Sequence, residues 1–163
     1  LFQDVSFETG NATPFPKAPI PMPEKPPPTK QEFRGHHYLA VAGWKTWHDA
    51  KKACEAMGGH LVTISDAEED VFVQKLCNQR NMWMGLTDEA KEGEWRWVTG
   101  EPAKYVHPGW GTPEGGEPNN QGGVENYAHY CFIADLFLGD GWNDLPDDDG
   151  GRFIRGFICE WDN

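Results

Sequence analysis

The sequence predicts a mixed α+β domain, and three observations carry that reading. Two stretches in the first half repeat their apolar residues at helical spacing behind helix-start signals. From Met82 onward the pattern changes to short runs of strand length. Between Gly100 and Gly123 the chain is rich in Gly and Pro and shows no period, which marks one long loop.

Taken in order, a first strand is expected over Phe33 to Val41. Thr46, with Asp49 three residues on, predicts a helix N-terminus, and Gly58 ends that helix. Trp47, Ala50, Cys54 and Met57 fall on one stripe and read as core. A short strand, Leu61 to Ile64, leads to Ser65. Ser65 with Glu68 forms a capping-box pattern for a second helix reaching about Leu76, with Phe72 and Leu76 on its inner face. Strands are then expected at Met82–Leu86, Glu94–Val98, Ala128–Ala134 and Arg155–Glu160.

Residues 1 to 32 differ in composition. Eight prolines between Pro14 and Pro28 make a semi-rigid, polyproline-like tail or stalk, which leaves residues 33 to 163 as the folded domain. The 163 residues suffice for one domain with a sizeable core, and eight Trp and nine Phe supply large side chains for it. A net charge of −12 argues against nucleic acid and anionic membrane as partners. No apolar run approaches the ~20 residues of a membrane span. No signal peptide is visible, and a chain beginning with Leu is expected to be a mature or a trimmed one. No heptad or repeat encodes an oligomer.

The stretch with the densest chemistry runs from Glu117 to Asp144. Glu117, Asn119, Glu125, Asn143 and Asp144 offer carboxylate and amide oxygens only. With no Cys or His among them, the set suits a hard cation, Ca²⁺ best, since that ion accepts six to eight oxygens in a flexible geometry. Each bound Asn or Glu keeps a second polar atom facing outward. A ligand with two neighbouring hydroxyls would touch the metal and its ligands together, Glu accepting and the Asn amide donating. Pro118 between the first two predicts a fixed peptide, the cis isomer included, that aims both side chains at one point.

These residues resemble the sugar-binding calcium site of C-type lectin domains: Glu117-Pro118-Asn119, a Glu six positions on, and Trp142-Asn143-Asp144. Trp83-Met84-Gly85-Leu86, Glu92-Gly93-Glu94-Trp95-Arg96-Trp97 and Gly156-Phe157-Ile158-Cys159-Glu160 resemble strands of the same family, in the family's order. The match covers roughly residues 33 to 163. The resemblance implies two helices flanking two small antiparallel sheets, a long calcium-binding loop, no catalysis and a glycan partner. The Glu-Pro-Asn order resembles the mannose-selecting class, so the implied ligands are mannose, glucose, N-acetylglucosamine or fucose-type sugars with vicinal equatorial hydroxyls. An auxiliary calcium site is suggested by Asp88, Glu92, Asn120, Glu125 and Asn126. Asn stands where the family has Asp at 120, and fewer charges weaken such a site. Gln121 and Tyr127 are near-site candidates by position.

The family also implies that Cys54 pairs with Cys159, closing a loop of about 105 residues; the chain-entropy model puts such a bridge near ~4.7 kcal/mol. Tyr127 and Asp147 stand where a second family bridge would have its cysteines. Cys77 and Cys131 remain, and a relocated bridge between them is expected if their neighbouring strands are antiparallel; the alternative is two buried thiols. Either way the resemblance implies an oxidising compartment, hence a secreted or extracellular location, the cell surface or a periplasm included. The run Asp147-Asp148-Asp149 reads as exposed charge rather than a third cation site. His36, His37 and His107 read as surface or strand residues, since no partner lies at ligand spacing, and His129 as a strand residue behind the site. The competing function is a protein- or surface-binding domain in which Ca²⁺ only shapes the loop. A metal-dependent hydrolase finds no nucleophile–base pair to support it.

Overall fold

The computed structural model describes residues 29–111, 116–132 and 141–162. The Pro-rich segment up to Pro28, and Ala134 at the end of one expected strand, lie outside them. The described chain forms β1 (Gln31–Phe33), β2 (His36–Ala42), α1 (Trp47–Ala56), β3 (His60–Leu61), α2 (Ala67–Cys77), β4 (Met82–Thr87), β5 (Arg96–Trp97), β6 (Tyr127–Cys131), β7 (Gly141–Leu145) and β8 (Gly156–Trp161).

The strands join in the order β1-β2-β8-β4-β6-β7, with β3 on β8 and β5 on β4. Two antiparallel groups are recognisable, β1-β2-β8-β3 and β5-β4-β6-β7. A short parallel ladder between β4 and β8, Met82 opposite Gly156 and Trp83 opposite Phe157, welds the two expected sheets into one mixed sheet. Gly85 sits in the middle of β4 because a Cβ there would meet Leu61 O at 2.6 Å and the Val98 side chain at 2.8 Å.

The expected first strand is a hairpin. Arg34 and Gly35 both take positive φ, 51° and 90°, which is the two-residue turn matched to strand twist. Arg is an unusual residue for that conformation, so the break left little mark in the sequence. In α1, the Thr46 side chain accepts from Asp49 N at 3.1 Å, and Trp47, Ala50 and Cys54 are buried. Met57 is not core: it caps the C-terminus and lies 41% exposed. In α2 the cap is Asp66, one residue later than expected. Its carboxylate accepts from Glu68 N and Glu69 N, while Ser65 N and Oγ both donate to Glu69. The inner face of α2 carries buried Glu69 and Asp70 beside Val73 and Cys77, with Phe72 and Leu76 partly buried. β7, which contains Trp142-Asn143-Asp144, has no counterpart among the expected strands.

Two hydrophobic clusters fill the sides of the sheet. One gathers Trp97, Trp110 and Trp142 with Met82 and Met84; the other gathers Trp47, Trp83, Tyr127 and Phe157. Each large side chain fully buried in this way is worth roughly 1.5–3 kcal/mol. Cys54 and Cys159 share the second cluster and lie in mutual contact, which together with burial pushes the Cys54 thiol far up. β4 and β6 are antiparallel, Met82 opposite Tyr130, so Cys131 and the segment after Cys77 reach the same end of that pair.

The aspartate run is a correction. Asp149 is buried, not exposed. Its carboxylate accepts from Trp44 Nε1 at 2.7 Å, Gly151 N at 2.9 Å, Phe153 N at 2.6 Å and Ile154 N at 2.9 Å. Asp147 accepts from His48 N and Asp148 from Gly150 N. These side chains tie the loop between β7 and β8, as short Asp side chains do wherever backbone donors are left over.

Candidate cation and ligand site

The site begins with β7. Antiparallel pairing places Asn143 opposite His129 and Asp144 opposite Ala128. Trp142 next to them is fixed from below, because its indole N–H donates to buried Asp70 of α2 at 3.2 Å. Tyr130 and Tyr105 donate to the same carboxylate at 2.7 and 2.9 Å. A helix thus sets the height of the strand that carries two of the candidate ligands.

Asp144 is fully buried and organises the loop. Its Oδ1 accepts from Asn119 N at 3.1 Å and its Oδ2 from Asn120 N at 2.9 Å. Glu125 Oε2 accepts from Gln121 N at 2.8 Å, and Asn120 Oδ1 accepts from Glu125 N at 3.1 Å. Asn120 takes positive φ to make this turn, into the short 3₁₀ segment Gln121–Gly123. The Glu117–Pro118 peptide is cis. Candidate residues that span 28 positions of sequence are therefore drawn to Asp144: the Asn119 backbone by hydrogen bond, the Glu117 and Glu125 carboxylates within its field, and Asn143 as its neighbour in β7.

The electrostatics of that neighbourhood are one-sided. Burial pushes the Glu117 carboxyl up to about 7, helped by hydrogen bonding to and repulsion from Asp144, against a smaller opposing contact with Asn119. Burial likewise raises Glu125, with Asp144 adding to it against the Gln121 N–H. Glu117 Oε2 and Asn143 Oδ1 are both buried without a hydrogen-bond partner. A buried unsatisfied polar atom costs ~1–3 kcal/mol, and more when charged. Carboxylates brought within reach of one another ask for a proton or a cation between them.

His129 explains why Asn143 points as it does. Its Nδ1 faces Tyr130 O at 2.8 Å, so that nitrogen carries the hydrogen and Nε2 is the acceptor. Asn143 Nδ2 donates to Nε2 at 3.3 Å, which turns Oδ1 the other way. The ring is fully buried, and burial lowers its pKa to about 4, keeping it neutral. Sequence reasoning left His129 as an ordinary strand residue; only the β6/β7 register reveals its contact.

The auxiliary group is less closed. Asp88 is buried, its Oδ2 accepts from Gly93 N at 2.8 Å, and its Oδ1 has no partner. Burial raises its pKa, with smaller contributions from Glu92 and Asp144, which places all three carboxylates in one field. The Asn126 carbonyl is already engaged by Thr87 Oγ1 and Asp88 N. Glu92 and Gln121 are exposed at the rim. Tyr127 packs against Trp47 and His48, beneath the surface, and Trp110 is core.

The donor set fits a hard divalent cation. Its atoms are all oxygens, three of the five residues are acids, and two of the buried oxygens lack any other partner.

Comparison with known proteins agrees with the fold. Residues 44–160 match the Lectin C-type domain family model, and the chain belongs to the C-type lectin family. It is 36% identical over 113 residues to a hepatic lectin of Gallus gallus, an alignment covering 69% of this chain and 50% of that protein. The chain thus spans about half the length of that relative. Among solved structures, the mouse scavenger receptor C-type lectin carbohydrate-recognition domain superposes with a TM-score of 0.69 at 31% identity, covering 84% of this chain and 96% of that one. The carbohydrate-recognition domain of cow CD23, solved in the presence of a GlcNAc2Man3 oligosaccharide, gives a TM-score of 0.68 at 33% identity, covering 82% and 93%. These relatives are lectins, not enzymes. No helix among the described residues is long and apolar enough to cross a membrane.

Proposed function

We propose that this domain binds carbohydrate through a calcium ion held by Glu117, Asn119, Glu125, Asn143 and Asp144. The observation that carries the reading is the pair of buried oxygens without partners, Glu117 Oε2 and Asn143 Oδ1, beside a carboxylate cluster rich in negative charge. When bound, Ca²⁺ supplies a Lewis-acidic centre for two neighbouring hydroxyl oxygens of a sugar. The chain's own residues supply orientation. Glu117 accepts a hydroxyl proton, and the Asn119 amide donates to the adjacent oxygen. That order of acceptor and donor suits the vicinal equatorial hydroxyls of mannose, glucose, N-acetylglucosamine or fucose-type sugars. Gln121, on the exposed rim, would touch the next part of a glycan. Asp88, Glu92, Asn120, Glu125 and Asn126 would hold a second, weaker Ca²⁺ that braces the loop.

A shallow, open site of this kind binds one sugar weakly, so useful avidity requires several copies. In the same reading the domain works outside the cell or on its surface. Cys54 and Cys159, in contact as thiols in this structure, would pair in that setting, as would Cys77 and Cys131, and residues 1–32 would act as a spacer. The test is a glycan array probed in Ca²⁺ and again in EDTA. Calcium-dependent signal on mannose-type glycans is expected. Retained Ca²⁺ binding with no glycan signal would overturn the sugar reading in favour of a protein-binding surface.

A further inference from the structure

We propose a second kind of metal site, for a transition ion of the zinc type, built from His36, His60, Glu160 and Asp162. It lies on the β2-β8-β3 side of the sheet, separated by β4 and β6 from the strand that carries Asn143 and Asp144.

The strand register creates it. Tyr38 and His60 flank Glu160 from β2 and β3, so His36 at the start of β2 and His60 in β3 converge on the end of β8. His36 Nδ1 lies 2.7 Å from Glu160 Oε1 and 3.3 Å from Asp162 Oδ1. One ligand atom from each of these three residues falls within 4.8 Å of the others. His60 Nε2 lies 3.2 Å from the other Asp162 oxygen.

The hydrogen-bond inventory points to a cation here. His60 Nδ1 faces Leu61 O at 2.8 Å, so that nitrogen carries the hydrogen of the neutral ring. Its Nε2 then faces a carboxylate oxygen as a lone pair, a contact that a second proton or a cation must bridge. His36 Nδ1 carries at most one hydrogen, yet faces oxygens of two carboxylates. Glu160 is only 1% exposed, and its other oxygen is already committed to Thr63 N and Oγ1 at 2.9 and 3.1 Å. Among the described residues, the ion-pair partners of Glu160 and Asp162 are these two histidines and no Lys or Arg. A divalent ion held by His36, Glu160 and Asp162, with His60 joining from the Asp162 side, removes both conflicts.

The donor types choose the ion. Two imidazoles and two carboxylates are a set that Zn²⁺ takes in tetrahedral geometry, whereas Ca²⁺ prefers oxygens alone. The chain therefore offers cation sites of two hardnesses. Because β2 and β8 carry the first and last parts of the folded domain, metal here would pin its two ends together. From sequence the site was hidden, since Glu160 lies 124 positions from His36.

The test is isothermal titration of the untagged chain with Zn²⁺ in the presence of saturating Ca²⁺. One Zn²⁺ per chain is expected. His36→Ala and Asp162→Asn should each weaken it by at least about tenfold, since loss of even an outer-shell partner costs that much. Both side chains are about half exposed, so the variants should keep the fold, checked by an unchanged circular dichroism spectrum. Co²⁺ in place of Zn²⁺ should give the intense visible bands of a tetrahedral site, and these should vanish in the His36→Ala/His60→Ala double variant. No Zn²⁺ uptake, or uptake equal in wild type and the double variant, would overturn the proposal.

Discussion

Two sets of buried side-chain oxygens in this molecule behave in opposite ways. Asp70 is 4% exposed and accepts from Tyr105, Tyr130 and Trp142. Asp149, 8% exposed, accepts from four N–H donors. Their oxygens are used up within the chain. Glu117, Asn143 and Asp88 also present buried oxygens, and each keeps one without a partner. The difference teaches how to separate structural acids from ligand-binding ones. A buried acid with its lone pairs filled holds the fold, while one left open stores a cost that only a ligand relieves.

The largest expected effect breaks the closed cluster. Asp70→Ala leaves two buried donors, Tyr130 and Trp142, and the partly buried Tyr105 without their acceptor, each buried one costing ~1–3 kcal/mol. The loss should be at least about 3 kcal/mol in chemical denaturation, and equal with and without Ca²⁺. A loss under about 1 kcal/mol would show that the three donors find water or other partners. The open cluster should respond to its ion instead. At a free Ca²⁺ concentration one hundred times the dissociation constant, stability should rise by ~2.7 kcal/mol. Melts that coincide in Ca²⁺ and EDTA would end the calcium reading.

Why one cluster was legible and the other was not follows from where their partners lie. Glu117-Pro118-Asn119, Glu125 and Asn143-Asp144 are local patterns, and their oxygen-only chemistry is visible residue by residue. The two helices were legible for the same reason: Thr46 with Asp49 is a signal within one turn. Asp70 was invisible because its three donors lie 35, 60 and 72 positions away, and nothing near it in sequence distinguishes it from a solvated helix acid. Asp149 was misread for a related reason. Three acids in a row suggest exposure, yet the turn after them supplies backbone donors that a sequence does not display. The Arg34–Gly35 turn escaped because apolar and polar residues continue their strand-like run straight through it. Met57 kept helical spacing but fell at the helix end, where the stripe leaves the core.

A smaller effect sharpens the ligand side of the comparison. Glu117→Gln with Asn119→Asp keeps an oxygen at each position and keeps Pro118. It reverses the polarity: residue 117 now donates through its amide, and residue 119 only accepts. On the proposed reading the preferred diol moves from the mannose type toward galactose. Mismatched hydrogen-bond partners cost ~1–3 kcal/mol each. Paired titrations with both sugars, and with Ca²⁺, should show mannose binding reduced and calcium retained. Undiminished mannose binding with calcium still bound would remove Glu117 and Asn119 from the sugar-reading pair.

The smallest effect is a difference in pH slope. In the metal-free chain, burial and the neighbouring Asp144 hold the Glu117 carboxyl at about 7, above its ordinary 4.5. The folded state then keeps a proton that the unfolded chain has released. Stability from this source is complete below about pH 4.5 and is lost as pH rises through about 7. Asp149 acts with the opposite sign. Burial raises its pKa, but the backbone donors and Trp44 outweigh burial and leave it below its ordinary value. Its contribution is present above the ordinary aspartate pKa and fades as pH falls through the depressed one, so the two windows do not overlap. Bound Ca²⁺ holds Glu117 ionised, which cancels its slope. The melting-temperature gap between calcium-loaded and metal-stripped protein should therefore widen from about pH 5 to about pH 7. The widening should be modest, because Glu117 is partly solvated and water screens its repulsion. Glu117→Gln should flatten the metal-stripped slope. A gap that stays constant across this range in the wild type would mean that Glu117 is already ionised without metal, and that the open cluster is relieved by something other than the cation.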